Sequence, residues 1–314
     1  MGRGGPRPEP SSVRVPGPWR HGSVSANGIR LHTVEAGEGP LVVLLHGFPE
    51  FWWSWRHQLV ALAAEGFRTV AVDLRGYGDS DKPPRGYDLW TLAGDVAGLI
   101  RALGEPKAHV VGHDWGGLIA WTLTALHPRL VRTLTVVDAP HPLAIRASAV
   151  RDPAGQFRAT ASYALGFQLP RHPERSLRAD GGARVERIMR AWSGPDWPDT
   201  PDFAEAARRN REAMLISTVA HCSLEYYRWA LRSQFRAEGR RFAAAVARPA
   251  EVPVLQIHGA DDPCLLERTA QVSPRWVTGP FVHHVLPGTG HFPHQERPAA
   301  TTAAILDGIR QARG

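Results

Sequence analysis

Six short apolar runs recur along the chain, at residues 41–45, 69–72, 108–111, 133–137, 252–257 and 282–286, and each ends in turn chemistry. Runs of this length, apolar throughout, suit strands buried on both faces of a parallel sheet. Helix-length segments at 54–64, 90–103, 116–126 and 298–310 alternate with them. The alternation predicts an α/β class, with a mostly parallel central sheet and helices on both faces. A shorter alternating pattern around Ala26-Asn27-Gly28 predicts a hairpin ahead of the first run. Between about 140 and 250 the strand pattern stops. That stretch is helical in pattern, rich in arginine and divided by prolines at 170, 173, 195, 198 and 201. It reads as a helical domain of residues 141–250 inserted into a core of 21–140 and 251–314.

Composition narrows the class. Residues 1–20 are rich in Gly, Pro, Arg and Ser and are expected to be a disordered tail. No stretch approaches 18 consecutive apolar residues, so no membrane-spanning helix is expected. No apolar h-region follows Met1, which points to a cytoplasmic protein. The two cysteines, Cys222 and Cys264, form neither a CxxC pair nor a disulfide framework. The net charge of +7 raises a nucleic-acid reading. However, within 141–250 eighteen arginines interleave with eleven acids, as a solvated helical face would. No zinc-finger spacing or RNA-binding aromatic signature accompanies them, so neither nucleic acid nor membrane is expected as a partner. A homodimer is compatible with these residues, and none of them requires it.

In open α/β sheets, ligands sit beyond the carboxyl ends of the strands. The run 108–111 leads into Gly112-His113-Asp114-Trp115-Gly116-Gly117 and then a helix. This G-x-D-x-G has the shape of a nucleophile elbow with Asp in the Ser position. An Asp before a helix also serves as an N-cap. The run 41–45 leads into His46-Gly47-Phe48-Pro49-Glu50. There the backbone N–H of Phe48 could join that of Trp115 as an oxyanion hole. The run 252–257 leads to Asp261-Asp262, and 282–286 to Gly290-His291. The order Asp114, Asp262, His291, each after a strand, matches nucleophile, acid and His. Asp138 follows another run and rivals Asp262 as the acid. Asp262 has the G-x-x-D spacing after Gly259.

Together these residues resemble the α/β-hydrolase superfamily with an Asp nucleophile, over residues 22–314. His46-Gly47-Phe48-Pro49 with Gly112-His113-Asp114-Trp115-Gly116-Gly117 is most similar to soluble epoxide hydrolases and their dehalogenase relatives. The chemistry of the nucleophile agrees. A carboxylate with an ordinary pKa of about 3.9 is ionised at neutral pH and needs no base to attack. Attack on an ester would give an anhydride, whereas attack on an sp³ carbon gives a stable alkyl ester. The substrate should therefore carry a strained ring or a good leaving group. Hydrolysis of the ester then needs a base, His291, oriented by Asp262.

An opened epoxide must also have its oxygen protonated, and tyrosine suits that task. The resemblance implies two such residues in the insert. Tyr163, four residues before Phe167-Gln168, and Tyr227, in Glu225-Tyr226-Tyr227-Arg228, match its pattern. The expected activity is hydrolysis of an epoxide to a vicinal diol through an Asp114 ester, with epoxide and water as the small-molecule partners. No metal and no organic cofactor is expected. A haloalkane or haloacid dehalogenase on the same Asp, with Trp115 as a halide donor, is the first alternative. A non-catalytic ligand-binding homologue is the second.

Overall fold

The computed structural model of the chain describes residues 7–312. The apolar runs become strands β3 (Leu41–Leu45), β4 (Arg68–Val72), β5 (Ala108–His113), β6 (Val131–Val137), β7 (Val254–Gly259) and β8 (Phe281–Leu286). Ahead of them, β1 (Arg20–Ala26) and β2 (Ile29–Ala36) form the hairpin. Its turn residues Asn27 and Gly28 both hold a positive φ, 49° and 77°, as the right-handed twist of a two-residue hairpin demands. Among the described residues these strands form one eight-stranded sheet in the order β1-β2-β4-β3-β5-β6-β7-β8. β2 runs antiparallel to both of its neighbours, and every other pair is parallel. Val42, Val43, Leu44, Val110 and Val111 at its centre are fully buried. Covering both faces with helices is what makes continuous apolar runs, rather than alternating ones, the stable choice.

The covering helices of the sheet domain include α1 (Arg56–Ala64), α2 (Leu89–Ala102) and α3 (Trp115–Leu126). Between β6 and β7 lie seven helices: α4 (Pro142–Arg151), α5 (Arg158–Ala164), α6 (His172–Arg178), α7 (Ala183–Trp192), α8 (Pro201–Leu215), α9 (Val219–Ser233) and α10 (Ala237–Val246). β6 and β7 nevertheless pair directly, so this insert leaves the sheet uninterrupted. It is tied back by Arg56 of α1, whose guanidinium donates to both carboxylate oxygens of Asp202 on α8, at 2.7 and 2.6 Å.

The N-terminal expectation needs correcting. Residues 1–6 lie outside the described residues, but those after them do not form the disordered tail expected over 1–20. Pro10–Val13 make a turn of 3₁₀ helix, and Val13 and Val15 are buried. The Trp52 indole N–H donates to the Val13 carbonyl at 2.8 Å, and Trp19 packs edge-on against Trp52 at 5.3 Å. Composition underrated the segment because its apolar side chains are sparse, yet Val13 and Val15 are buried in the core and Trp19 packs on Trp52 and Trp53.

Candidate active site

Asp114 stands at the step from β5 to α3, with φ 45° and ψ −116°. A non-glycine residue there is strained, and such strain is held only where packing dictates it. The packing is visible: a Cβ on Gly112 would strike the Gly116 carbonyl, and one on Gly116 would strike the Leu45 carbonyl. The Asp114 side chain does not cap α3, which removes the N-cap alternative. Its Oδ2 instead accepts the Phe48 N–H at 2.9 Å, and the Trp115 N–H also acts on the carboxylate. The two backbone donors expected from the sequence thus converge on one carboxylate.

His291 lies across from it, with Nε2 4.0 Å from Asp114 Oδ1. Its Nδ1 is 2.8 Å from Asp262 Oδ2. The other oxygen of Asp262 accepts the N–H groups of Cys264 and Leu265, at 2.7 and 3.2 Å. Asp138 is engaged differently: its Oδ1 accepts the Gly259 N–H at 3.0 Å and lies 2.9 Å from His258 Nδ1. So two Asp–His pairs stand side by side at neighbouring strand ends, and only the Asp262–His291 pair faces Asp114.

Tyr163 on α5 and Tyr227 on α9 meet over this site with ring centroids 6.0 Å apart. Tyr227 stands edge-on to both Trp115 and Phe48, at 5.0 and 5.4 Å. Tyr226 turns away, as the 100° step of a helix requires, and its hydroxyl donates to the Arg75 carbonyl at 2.7 Å. Trp192, at the end of α7, closes the remaining side against Tyr163 and His291, at 5.0 and 5.4 Å. Phe48, Phe167 and these rings make an aromatic enclosure whose charged groups are Asp114, Asp262 and His291.

Electrostatics follow from burial. Burial raises the Asp114 carboxyl above its usual range, although His291, His113 and the two N–H donors resist it. Burial works against charge on His291 too, but Asp262 outweighs it, aided by Asp114 and Asp138. The imidazole is pushed up to about 10. Tyr163 and Tyr227 are held well above the ordinary phenol value, first by burial and then by neighbouring groups that include Asp114. Both hydroxyls therefore keep their protons.

Sequence reasoning missed the layer behind this site. His113 Nε2 donates to the His291 carbonyl at 2.7 Å, and His113 Nδ1 is 2.9 Å from Glu50 Oε2. Burial opposes charge on both, yet their neighbours outweigh it: His294 and His113 hold Glu50 well below the usual carboxylate range, and Glu50 raises His113. Gln295 donates to the same Glu50 and accepts from Arg56 at 2.7 Å. The signal was an acid, Glu50, directly after an otherwise apolar loop motif. Among the described residues, three buried groups bring His, Cys or carboxylate atoms within 4.8 Å of one another: Glu50-His113-His294, Asp262-Cys264-His291 and Asp138-His258-Asp262. In each, a nitrogen and an oxygen already lie 2.8–2.9 Å apart, the spacing of a shared proton rather than of two ligands on one cation.

Residues 40–298 match the family model of the α/β hydrolase fold. The chain is 34% identical over 291 residues to the AB hydrolase superfamily protein YfhM of Bacillus subtilis, covering 91% of this chain and 96% of that protein. It is 31% identical to epoxide hydrolase A of Mycobacterium tuberculosis, covering 90% of this chain and 95% of that one. Among solved structures, an epoxide hydrolase of Vigna radiata superposes with a TM-score of 0.78 at 28% identity, covering 94% of this chain and 98% of the other.

Proposed function

Since the chain belongs to the α/β-hydrolase fold family, and to the epoxide hydrolases within it, we propose that it adds water to an epoxide to give a vicinal diol through an ester on Asp114. The observation that carries this reading is the pairing of tyrosines and carboxylate. Tyr163 and Tyr227 close over Asp114, whereas Tyr226 spends its hydroxyl on Arg75. A halide leaving group needs no such pair of hydroxyl donors. An opening ring oxygen does.

In the first step an Asp114 oxygen bonds to a ring carbon and the carbon–oxygen bond of the ring breaks. The ring oxygen takes a proton from a tyrosine hydroxyl. The resting imidazole of His291 is protonated, and its proton restores the tyrosine. That leaves a neutral His291 beside a neutral ester. Loss of the Asp114 charge also removes one of the carboxylates that held the proton on His291. In the second step water attacks the ester carbonyl carbon and gives a proton to His291, which Asp262 orients. The N–H groups of Phe48 and Trp115 receive the oxyanion; on its collapse the ester C–O bond breaks and the departing alkoxide takes the remaining proton of the attacking water, leaving the diol, the Asp114 carboxylate and a protonated His291. Every proton is accounted for, and no metal or cofactor enters. The aromatic enclosure suits an apolar epoxide.

The test is the intact mass of a His291→Ala variant mixed with a terminal aryl epoxide. The expected result is a gain equal to the whole epoxide, mapped to Asp114. A folded variant that gains nothing would overturn the reading. A gain of only the alkyl group from a haloalkane, with none from epoxide, would move the assignment to dehalogenation.

A further inference from the structure

The insert meets the His291 loop along a backbone seam. The His291 N–H donates to the Trp192 carbonyl, where α7 ends, at 2.7 Å. Two residues further along the insert, the Gly194 N–H donates to Glu296 Oε2 at 2.9 Å. The same oxygen accepts the Gly290 N–H at 2.9 Å, and Oε1 accepts the Phe292 N–H at 3.0 Å. Gly290 and Phe292 flank His291 directly. One carboxylate therefore gathers three backbone donors, two from the immediate neighbours of His291 and one from the insert. The approach leaves no room for a side chain. A Cβ on Gly194 would lie 2.8 Å from Glu296 Oε2, and one on Gly290 would overlap Trp192 and Gly194 backbone atoms. Burial raises the Glu296 carboxyl, and the same three N–H groups oppose that rise.

We propose that Glu296 is a positioning residue for ester hydrolysis, fastening the insert to the His291 loop so that the base is aligned only when the insert is seated. The proposal rests on the Asp114 ester mechanism above. A carboxylate is required because three donors converge on it. An amide has a single acceptor oxygen and must turn its own N–H₂ toward at least one of them. Ring opening itself is carried by Asp114, Tyr163 and Tyr227, none of which bonds to Glu296, and His291 returns a proton to the tyrosine only after the ring has opened. Hydrolysis draws on His291, whose two neighbours do. The two steps should therefore respond differently to the same change.

The experiment is single-turnover mass spectrometry of wild type, Glu296→Gln and Gly194→Ala with a terminal aryl epoxide. The second variant presses on the seam from the insert side. In both variants ester formation should stay within about twofold of wild type. Ester decay should slow by about tenfold or more, because a displacement of ~1 Å can cost on the order of a hundredfold. The ester should accumulate in the steady state. Hydrogen exchange gives a readout independent of turnover: the His291 amide should exchange faster in both variants. A folded Glu296→Gln enzyme that hydrolyses its ester at the wild-type rate would overturn the proposal. So would an equal loss in both steps, the mark of general destabilisation. If wild type and His291→Ala form no ester at all, the mechanism fails instead, and unchanged exchange at His291 would then still dispose of the seam.

Discussion

Asp114, Asp262 and His291 stand at strand ends, the first directly after β5 and the others in the loops after β7 and β8. Tyr163 and Tyr227 stand on α5 and α9, in an insert with no strand to anchor them. The two groups meet at one site but are placed by different physics. A strand end in a parallel sheet has a fixed address, because register and burial leave a one-residue slip no room. A helical residue reaches that site only if its whole helix packs with the right face inward. Tyr226 and Tyr227 illustrate this, since one faces Arg75 and the other the site.

The sharpest break between the groups is a tyrosine series. Tyr163→Phe or Tyr227→Phe should slow ester formation by about tenfold to a hundredfold, and the double change by on the order of 10³ or more. Ester decay should be nearly untouched. Tyr226→Phe should leave the rate within about twofold and cost only the ~1 kcal/mol of a lost hydrogen bond. Rapid-quench mass analysis and denaturant melts read both. Equal effects of Tyr226→Phe and Tyr227→Phe would erase the distinction.

The sheet-end group has its own signature in pH. His291 sits at about 10 in the folded chain, against an ordinary value of 6.5. Its contribution to stability is therefore complete below about 6.5 and drains away as the pH rises through about 10. Denaturant midpoints should fall over that window in wild type and fall less in His291→Gln. A parallel decline in both would assign the slope to other groups.

The smallest expected effect concerns the tie between the two regions. Arg56→Leu removes the bidentate contact to Asp202 and the bond to Gln295. Asp202 is partly exposed, so water screens and replaces much of that contact. The loss should be about 1–2 kcal/mol, mostly from the buried Gln295 left without its donor. Ester formation should weaken more than the fold, because the tie holds the insert rather than the sheet. Unchanged ester kinetics would show that the Glu296 seam alone seats the insert.

Much of this molecule could be read before its structure. The apolar runs at 41–45 and 108–111, the elbow glycines, the G-x-x-D aspartate and the His after the last strand are local patterns, each confined to a few neighbouring residues. The N-terminal segment could not, because Val13 and Trp19 gain their meaning only from Trp52. Nor could the Glu50–His113 pair, 63 residues apart, or the convergence of three N–H groups on Glu296.

What the sequence determined by itself was the order of chemistry along the sheet, because hydrophobic period and turn residues act over short distances. It also narrowed the acid to two aspartates. The tertiary structure separates them by position: Asp262 lies 2.8 Å from His291, whereas Asp138 lies 2.9 Å from His258. It also set which tyrosine faces Trp115 and where the insert meets the His291 loop. Those outcomes depend on distances between segments far apart in the chain, and such distances exist only once the sheet and its helices have packed.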